Sequence, residues 1–264
     1  MKPPIAISID SFADQQDKGQ TSMEQAGNWG REPVVFLPGM MCDARVFTPQ
    51  LNALSVQAPV MVAPLHGGAR VEDIALHILS MLPEKFALVG LSMGGIVALE
   101  LLRRAPERIT RLCLMATTPL SETPDQAAMR EPLIISARTG GLEKALQLSL
   151  PPEVLAPGPR RLEILNLVRE MGMELGAELF VDQSRALQRR LDQQATARRC
   201  QVPTLILCGE YDRLTPVKRH EFMAGLIPHA GLEIIAGAGH LPGLEQPESV
   251  NRALLHWLAA PSGA

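Results

Sequence analysis

The chain has 264 residues, of which 46% are hydrophobic and 20% are charged, and its net charge is -3 at pH 7. This composition is globular rather than disordered, and the length suffices for one large α/β domain with an insertion. The small negative charge gives no electrostatic basis for binding nucleic acid or an anionic membrane, so we expect neither as a partner.

Four cysteines are scattered along the chain without the spacing of a metal site: Cys42, Cys113, Cys200 and Cys208. Cys113 and Cys208 lie within apolar runs, where a free cysteine packs as a small hydrophobe. We therefore expect reduced structural thiols, no metal and no cofactor. No apolar stretch approaches membrane-spanning length, and the apolar run at residues 5–9 is too short for a signal-peptide core, which favours a cytoplasmic location.

Residues 1–32 are predicted to be a polar lead-in with one candidate edge strand at residues 5–9. Beyond them, apolar runs alternate with helix-like segments, a pattern typical of a parallel sheet with helices between its strands. We interpret Val60-Met61-Val62 as a second central strand, and the helix beginning at Val71 is expected to run to Leu82. The runs that predict strands are 34–37, 60–62, 86–91, 109–115, 202–208 and 232–235.

This alternation stops at residues 118–199, which contain helix-like segments and no clear strand. We interpret them as a helical cap inserted over the carboxyl ends of the strands, with 33–117 and 200–264 forming the core. The segment is rich in Leu, Ile and Met, and Phe180 is its one aromatic residue. Such a composition favours an aliphatic pocket.

A serine lies between glycines directly after one apolar run, in Gly90-Leu91-Ser92-Met93-Gly94. This pattern fits the G-x-S-x-G nucleophile elbow, a sharp turn from a strand into a helix. The strained serine backbone needs neighbours almost free of side chains, and Gly90 and Gly94 meet that need. The turn exposes the serine hydroxyl, and the helix that follows points its first amides at any anion formed beside it.

An acid and a histidine follow later predicted strands, in the chain order Ser92, Asp212, His240. The carboxyl ends of parallel strands share one edge of a sheet, so we expect the three side chains to meet there. His240 would take the hydroxyl proton of Ser92 as the oxygen attacks a carbonyl, and Asp212 would orient the imidazole ring. Glu210 is the rival for the role of the acid.

The oxygen of an attacked carbonyl becomes negative and needs hydrogen-bond donors. The backbone amide of Met93, directly after the serine, is one candidate donor. The amide of Met40, after Pro38-Gly39 on the first core strand, is the other. Backbone donors work whatever the side chain, so the identity of these two residues carries little information.

Three stretches together resemble the α/β-hydrolase superfamily, in its cap-bearing branch of small esterases and related hydrolases. They are Gly90 to Gly95, Gly209 to Pro216, and Gly237-Ala238-Gly239-His240 with the trailing Leu244-Glu245-Gln246-Pro247-Glu248. The resemblance implies an α/β-hydrolase fold, a mostly parallel sheet flanked by helices. The chain departs from the family pattern in having Pro38-Gly39 where His-Gly is usual and no Asp in the loop at residues 64–68, which affects the pocket wall.

Several other polar residues are given structural roles. His66, His77, His220, His229 and His256 are interpreted as structural or solvated side chains. Asp43 is expected to cap a helix, and Thr215 is expected to cap another that has Pro216 at its first position. Cys42 is a candidate pocket residue, although we expect it to pack in the core.

The residue pattern predicts acyl transfer to water, by a hydrolase that cleaves a small carboxylic ester through an acyl-serine intermediate. Short to medium aliphatic acyl groups are the expected substrates. The resemblance leaves open a lactonase, a thioesterase or a carbon-carbon bond hydrolase with the same three residues. A ligand receptor that keeps the fold without catalysis is the alternative from another class, and a cyanohydrin lyase would need a pocket donor that we cannot locate in the sequence.

Overall fold

Six described strands form one parallel sheet in the computed structural model, which describes residues 32–260. The strands are β1 (Val34–Leu37), β2 (Val60–Val62), β3 (Phe86–Leu91), β4 (Ile109–Met115), β5 (Thr204–Gly209) and β6 (Gly231–Ile235). Their order across the sheet is β2-β1-β3-β4-β5-β6, and every adjacent pair is parallel. The candidate strand at residues 5–9 lies outside the described residues.

Strands β1, β3 and β5 are buried along their whole length, as expected for parallel strands covered on both faces. Alternate residues of β1 enter different cores: Val34 and Phe36 pack into one apolar cluster, and Val35 and Leu37 into the other. Among the described strands, Val60–Val62 is not the central strand that the sequence predicts. In the described sheet β2 lies at the edge and is half-buried, because β1 is its one partner there.

Helices connect the strands and cover both faces of the sheet. Those of the core are α1 (Thr48–Leu54), α2 (Val71–Leu79), α3 (Met93–Arg104), α9 (Val217–Leu226), α10 (Pro242–Glu245) and α11 (Pro247–Ala259). Helix α2 ends three residues before the predicted Leu82, because the Ser80 hydroxyl donates to the His77 carbonyl and the Met81 amide to the Ile78 carbonyl, which closes a tighter turn. The fold class predicted from the sequence is confirmed by this architecture.

Between β4 and β5 the chain forms helices and no strand among its described residues. They are α4 (Pro124–Met129), α5 (Glu131–Arg138), α6 (Leu142–Ser149), α7 (Arg161–Gln188) and α8 (Gln194–Arg198). Residues 118–199 are called the cap segment below; the division into core and cap stays a prediction. Helix α7 leaves helical geometry at Gly176, whose φ of 87° is a conformation that glycine adopts without strain.

No helix within residues 32–260 is both long and apolar enough to cross a membrane. The cytoplasmic location stays a prediction.

Candidate active site

Ser92 lies at the sharp turn between β3 and α3. Its φ of 51° and ψ of -114° are strained for a residue with a side chain, and its amide donates to the Met115 carbonyl of the neighbouring strand. The glycines around it are sterically required. A Cβ on Gly90 would lie 2.6 Å from the Gly94 carbonyl oxygen, and a Cβ on Gly94 would collide with the Leu37 carbonyl.

The structure brings Ser92, His240 and Asp212 into one hydrogen-bonded row. His240 Nε2 lies 3.0 Å from Ser92 Oγ, and His240 Nδ1 lies 2.9 Å from Asp212 Oδ2. His240 and Asp212 are buried, with 2% and 4% of their surface exposed. A carboxylate bound to Nδ1 favours the tautomer that carries its proton there, which leaves Nε2 free to accept a proton from the serine.

Several hydrogen-bond donors stabilise Asp212 as an anion. Burial raises its pKa, but the charge and hydrogen bond of His240 and the hydrogen bonds of Thr215 together keep the pKa below its usual value. Oδ1 accepts from the amides of Leu214 and Thr215, and Oδ2 accepts from the Thr215 hydroxyl at 2.7 Å. The expected cap at Thr215 is therefore wrong: its hydroxyl serves the carboxylate, and α9 begins after Pro216 with no side-chain cap.

Glu245 holds the backbone on both sides of His240, a role that we did not assign from the residue pattern. Its carboxylate accepts from the amides of Gly239 and Leu241, each at 2.9 Å, and from the amide of Ala156 in the cap segment at 2.7 Å. Burial raises the pKa of Glu245 despite these donors. Glu245 lies in the stretch after His240 that carries the family resemblance. Its hydrogen-bond partners are backbone amides, which no pattern of residue types identifies.

Met40 and Met93, whose amides are expected to face a developing oxyanion, line one cavity together with Ser92. Neither the Met40 nor the Met93 amide donates a hydrogen bond within the described part of the chain. The next amide, that of Met41, donates to Gln183 Oε1 at 2.8 Å, and Met41 itself has a φ of 54°. Gln183 belongs to the cap segment, so a cap side chain fixes the loop that carries Met40.

A cavity of about 1110 Å³ opens over Ser92 and His240. Residues of the core, including Met40, Cys42 and Leu241, line it together with residues of the cap segment. Most of the lining is apolar, including Phe180, which is fully buried. Cys42 does line the cavity, but burial raises the pKa of its thiol to about 12, so it remains a protonated packing group.

The other candidate residues lie apart from this row. His66, His77, His229 and His256 are exposed. His220 is instead fully buried, and its Nε2 accepts from the Thr117 amide at 3.1 Å; burial lowers its pKa, so the ring is neutral and structural. Glu210 is exposed and accepts from the Gly237 amide, away from His240.

Asp43 accepts from the Arg45 amide at the start of a short 3-10 helix, Ala44–Phe47, as its predicted role requires. Within residues 32–260 no cluster of three or more His, Cys, Asp or Glu side chains is arranged to hold a metal ion.

The sequence profile of the alpha/beta hydrolase family matches residues 34–253, which includes every strand and the serine, aspartate and histidine of the row. The chain belongs to the alpha/beta hydrolase family. It is an enzyme of the hydrolase class, because the proteins that it resembles are esterases and other hydrolases.

One relative is a pimeloyl-[acyl-carrier protein] methyl ester esterase of Aromatoleum aromaticum, which is 30% identical over 83% of this chain and 91% of its own length. A putative carbamate hydrolase of Yersinia enterocolitica is 25% identical over 87% of this chain and 88% of its own length. Among solved structures, a thermophilic esterase from Thermogutta terrifontis superposes with a TM-score of 0.78 at 28% identity, covering 86% of this chain and 89% of that one.

An enol-lactonase from Burkholderia xenovorans has a TM-score of 0.75 at 21% identity, covering 87% of this chain and 92% of that one. At that identity the likeness shows the shared fold alone.

Proposed function

We propose that this alpha/beta hydrolase cleaves a small carboxylic ester through an acyl-serine intermediate, with Ser92 as nucleophile, His240 as general base and Asp212 as its partner. The observation that carries the proposal is the row of hydrogen bonds Ser92 Oγ to His240 Nε2 to Asp212 at 3.0 and 2.9 Å. These distances lie within the range that proton transfer requires, and the row ends on a buried carboxylate.

In the first half-reaction Ser92 Oγ attacks the ester carbon while its proton moves to His240 Nε2. The amides of Met40 and Met93 donate to the carbonyl oxygen as it becomes negative. The tetrahedral adduct then collapses, the bond to the alcohol oxygen breaks, and the proton on His240 goes to that oxygen. In the second half-reaction His240 takes a proton from water, the hydroxide attacks the acyl carbon, and the acid leaves as the proton returns to Ser92 Oγ.

The cavity supports small to medium aliphatic acyl groups as substrates. Its lining is mostly apolar, and the cap segment contributes seven leucines, Met129 and Val168 to it; its volume of about 1110 Å³ lies just above the usual range for small-molecule sites. Two of the similar proteins, a methyl ester esterase and a thermophilic esterase, support an ester over the other bonds that these three residues can cleave. Hydrolysis of a lactone, a thioester or a carbon-carbon bond is the second candidate, because Ser92, His240 and Asp212 could catalyse each of these reactions.

Hydrolysis of p-nitrophenyl esters of increasing acyl length tests the proposal, with Ser92→Ala as the decisive variant. We expect a loss of about four or more orders of magnitude in kcat for Ser92→Ala, with an unchanged fold by circular dichroism. Ser149→Ala is the matched control, because Ser149 lines the same cavity and its hydroxyl donates to the Ala145 carbonyl.

Full activity in Ser92→Ala would refute the acyl-serine mechanism. A folded wild-type protein that turns over no ester, but binds one stoichiometrically, would support the receptor alternative instead.

A further inference from the structure

Five arginines and a single acid line the cavity over Ser92; of the arginines, Arg169 is paired with Glu143 and Arg213 is exposed. Glu122 Oε1 accepts from Arg130 Nη2 at 2.6 Å and from Arg190 Nη1 at 2.8 Å, and all three side chains line the cavity together with Arg219. Glu122 is the one acidic side chain among the described residues of this lining. The four residues Glu122, Arg130, Arg190 and Arg219 are called the cationic wall below.

The pairs within this wall are well removed from water. The side chain of Arg190 is 8% exposed and that of Glu122 is 4% exposed. Arg190 is also held in place by its Nε, which donates to the Leu120 carbonyl at 2.9 Å. Burial lowers the pKa of Arg190, Glu122 opposes this, and the positive charges of Arg130 and Arg219 lower it further. Arg190 and Arg219 line the same cavity.

Arg219 is the member of the wall that the fold leaves without an acid. It is half-buried on α9, and no carboxylate of residues 32–260 lies within ion-pair distance of its guanidinium. A guanidinium keeps its proton in proteins, so this charge cannot be relieved by titration. One carboxylate already shared by two guanidinium groups does not balance a third, and the wall keeps an excess of positive charge facing the cavity.

The cationic wall belongs to the same space as the reacting atoms. Arg130 Nη1 lies 3.9 Å from the sulfur of Met40, the residue whose amide is the proposed oxyanion donor. Arg219 lines the cavity together with Pro216 and with Thr215, the residue that holds Asp212. A substrate bound at Ser92 can thus extend to the wall without leaving the cavity.

We propose that the ester substrate of this enzyme carries a carboxylate, which binds the guanidinium groups of Arg219 and Arg190 at the cationic wall while the ester lies at Ser92. The inference rests on the proposed ester hydrolase function and adds the substrate class. Guanidinium and carboxylate match in geometry, and a buried charge-assisted pair gives specificity against a neutral analogue. The carboxylate supplies the negative charge that the wall lacks.

The test compares paired substrates. Monomethyl esters of linear dicarboxylic acids of increasing length are set against methyl esters of monocarboxylic acids of the same length, which places the charge on the acyl side. Acetate esters of hydroxy acids are set against acetate esters of the matching alcohols, which places it on the alcohol side. We expect wild type to prefer the charged member of one series by about tenfold or more in kcat/KM, and the preference to shrink with added salt.

Arg219→Met should reduce that preference about tenfold, and Arg219→Lys should retain part of it because it keeps the charge without the planar fork. Arg169→Met is the matched control. Arg169 lines the same cavity but is paired with Glu143 at 2.6 Å, so its loss should leave the ratio of charged to neutral substrate unchanged.

The two proposals fail in different ways. Hydrolysis that persists in Ser92→Ala refutes the acyl-serine mechanism. Hydrolysis that requires Ser92 but shows no preference in either series, or a preference that Arg219→Met does not change, overturns the carboxylate site. If wild type cleaves none of these esters, calorimetric titration of Ser92→Ala with the same pairs decides: tighter binding of the charged member that Arg219→Met abolishes supports the site, and equal affinity overturns it.

Discussion

Gln183 Oε1 accepts the Met41 amide at 2.8 Å, while Gln183 Nε2 donates to the Leu65 carbonyl at 3.0 Å. One buried carboxamide of the cap segment thus joins the loop after β1 to the loop after β2. Met41 has a φ of 54°, a conformation that costs a side-chain-bearing residue free energy unless its surroundings enforce it. We infer that Gln183 holds the strained turn next to Met40, whose amide is the proposed oxyanion donor.

Replacing Gln183 by methionine should therefore damage catalysis as well as stability. Methionine has a similar volume but cannot accept from Met41 or donate to Leu65, so two buried backbone groups lose their partner. We expect a loss of about 1 to 3 kcal/mol in the free energy of unfolding and of about tenfold or more in kcat. Gln147→Met is the control, because Gln147 lines the cavity and is exposed. A kcat equal to wild type would refute the positioning role.

The sequence predicts those parts of the site that depend on nearby residues or on the order of the strands. Gly90 and Gly94 are needed because atoms within a few residues, or on the adjacent strand, leave no room for a Cβ. Asp212 follows the buried strand β5 and His240 follows the mostly exposed strand β6, and parallel strands bring their carboxyl ends to one edge. For these reasons a motif and an alternation of apolar runs suffice to place Ser92, Asp212 and His240 together.

The parts that the sequence does not predict depend on contacts between distant segments. Gln183 lies 142 positions from Met41, and His220 lies 103 positions from the Thr117 amide that it accepts from. Nothing in the residues around Gln183 or His220 marks either as buried. For Thr215 a local rule gave the wrong prediction. The rule predicted that its hydroxyl caps α9, but the hydroxyl donates to the Asp212 carboxylate instead.

Thr215→Val should weaken the support of the Asp212 carboxylate. The substitution is nearly isosteric and removes the hydroxyl that donates to Oδ2 at 2.7 Å, while the Thr215 and Leu214 amides still reach Oδ1. We expect kcat/KM to fall about tenfold, since a hydrogen bond to a charged group contributes about 1.5 to 3 kcal/mol.

Thr196→Val is the control for this prediction, because the buried Thr196 hydroxyl donates to Gln193 Oε1 away from the site. It should lower the melting temperature without lowering kcat/KM. Equal losses of activity in both variants would show that Thr215 acts through stability alone.

Gly94→Ala should prevent the turn at Ser92 from forming, since the added Cβ would collide with the Leu37 carbonyl of the central strand β1. Backbone cannot move aside as a flexible side chain can, so we expect a loss of about 3 kcal/mol or more in the free energy of unfolding. Gly158→Ala is the matched control, because no atom lies within 4 Å of a Cβ built there. Urea unfolding of both variants measures the difference, and wild-type stability in Gly94→Ala would contradict the close approach of Gly94 to Leu37.

The contribution of Glu100 to the free energy of unfolding is expected to depend on pH. Glu100 lies on α3, is fully buried, and accepts from Arg103, Arg104 and Gln193. Burial raises its pKa, but these donors outweigh burial and hold the pKa below its usual value. A carboxyl with a lowered folded pKa stabilises the fold above its unfolded pKa of about 4.3, and this stabilisation is lost as the pH falls through the folded pKa.

Glu100→Gln should consequently be less stable than wild type by about 2 kcal/mol near pH 7, and the gap should narrow as the pH falls below about 4. Chemical unfolding at a series of pH values measures this gap. Glu107→Gln removes an exposed carboxylate just after the same helix. This variant should show the same dependence of the free energy of unfolding on pH as wild type. A gap for Glu100→Gln that stays constant from pH 7 to the acid limit would mean that Glu100 stabilises the helix by packing, and that its charge contributes nothing.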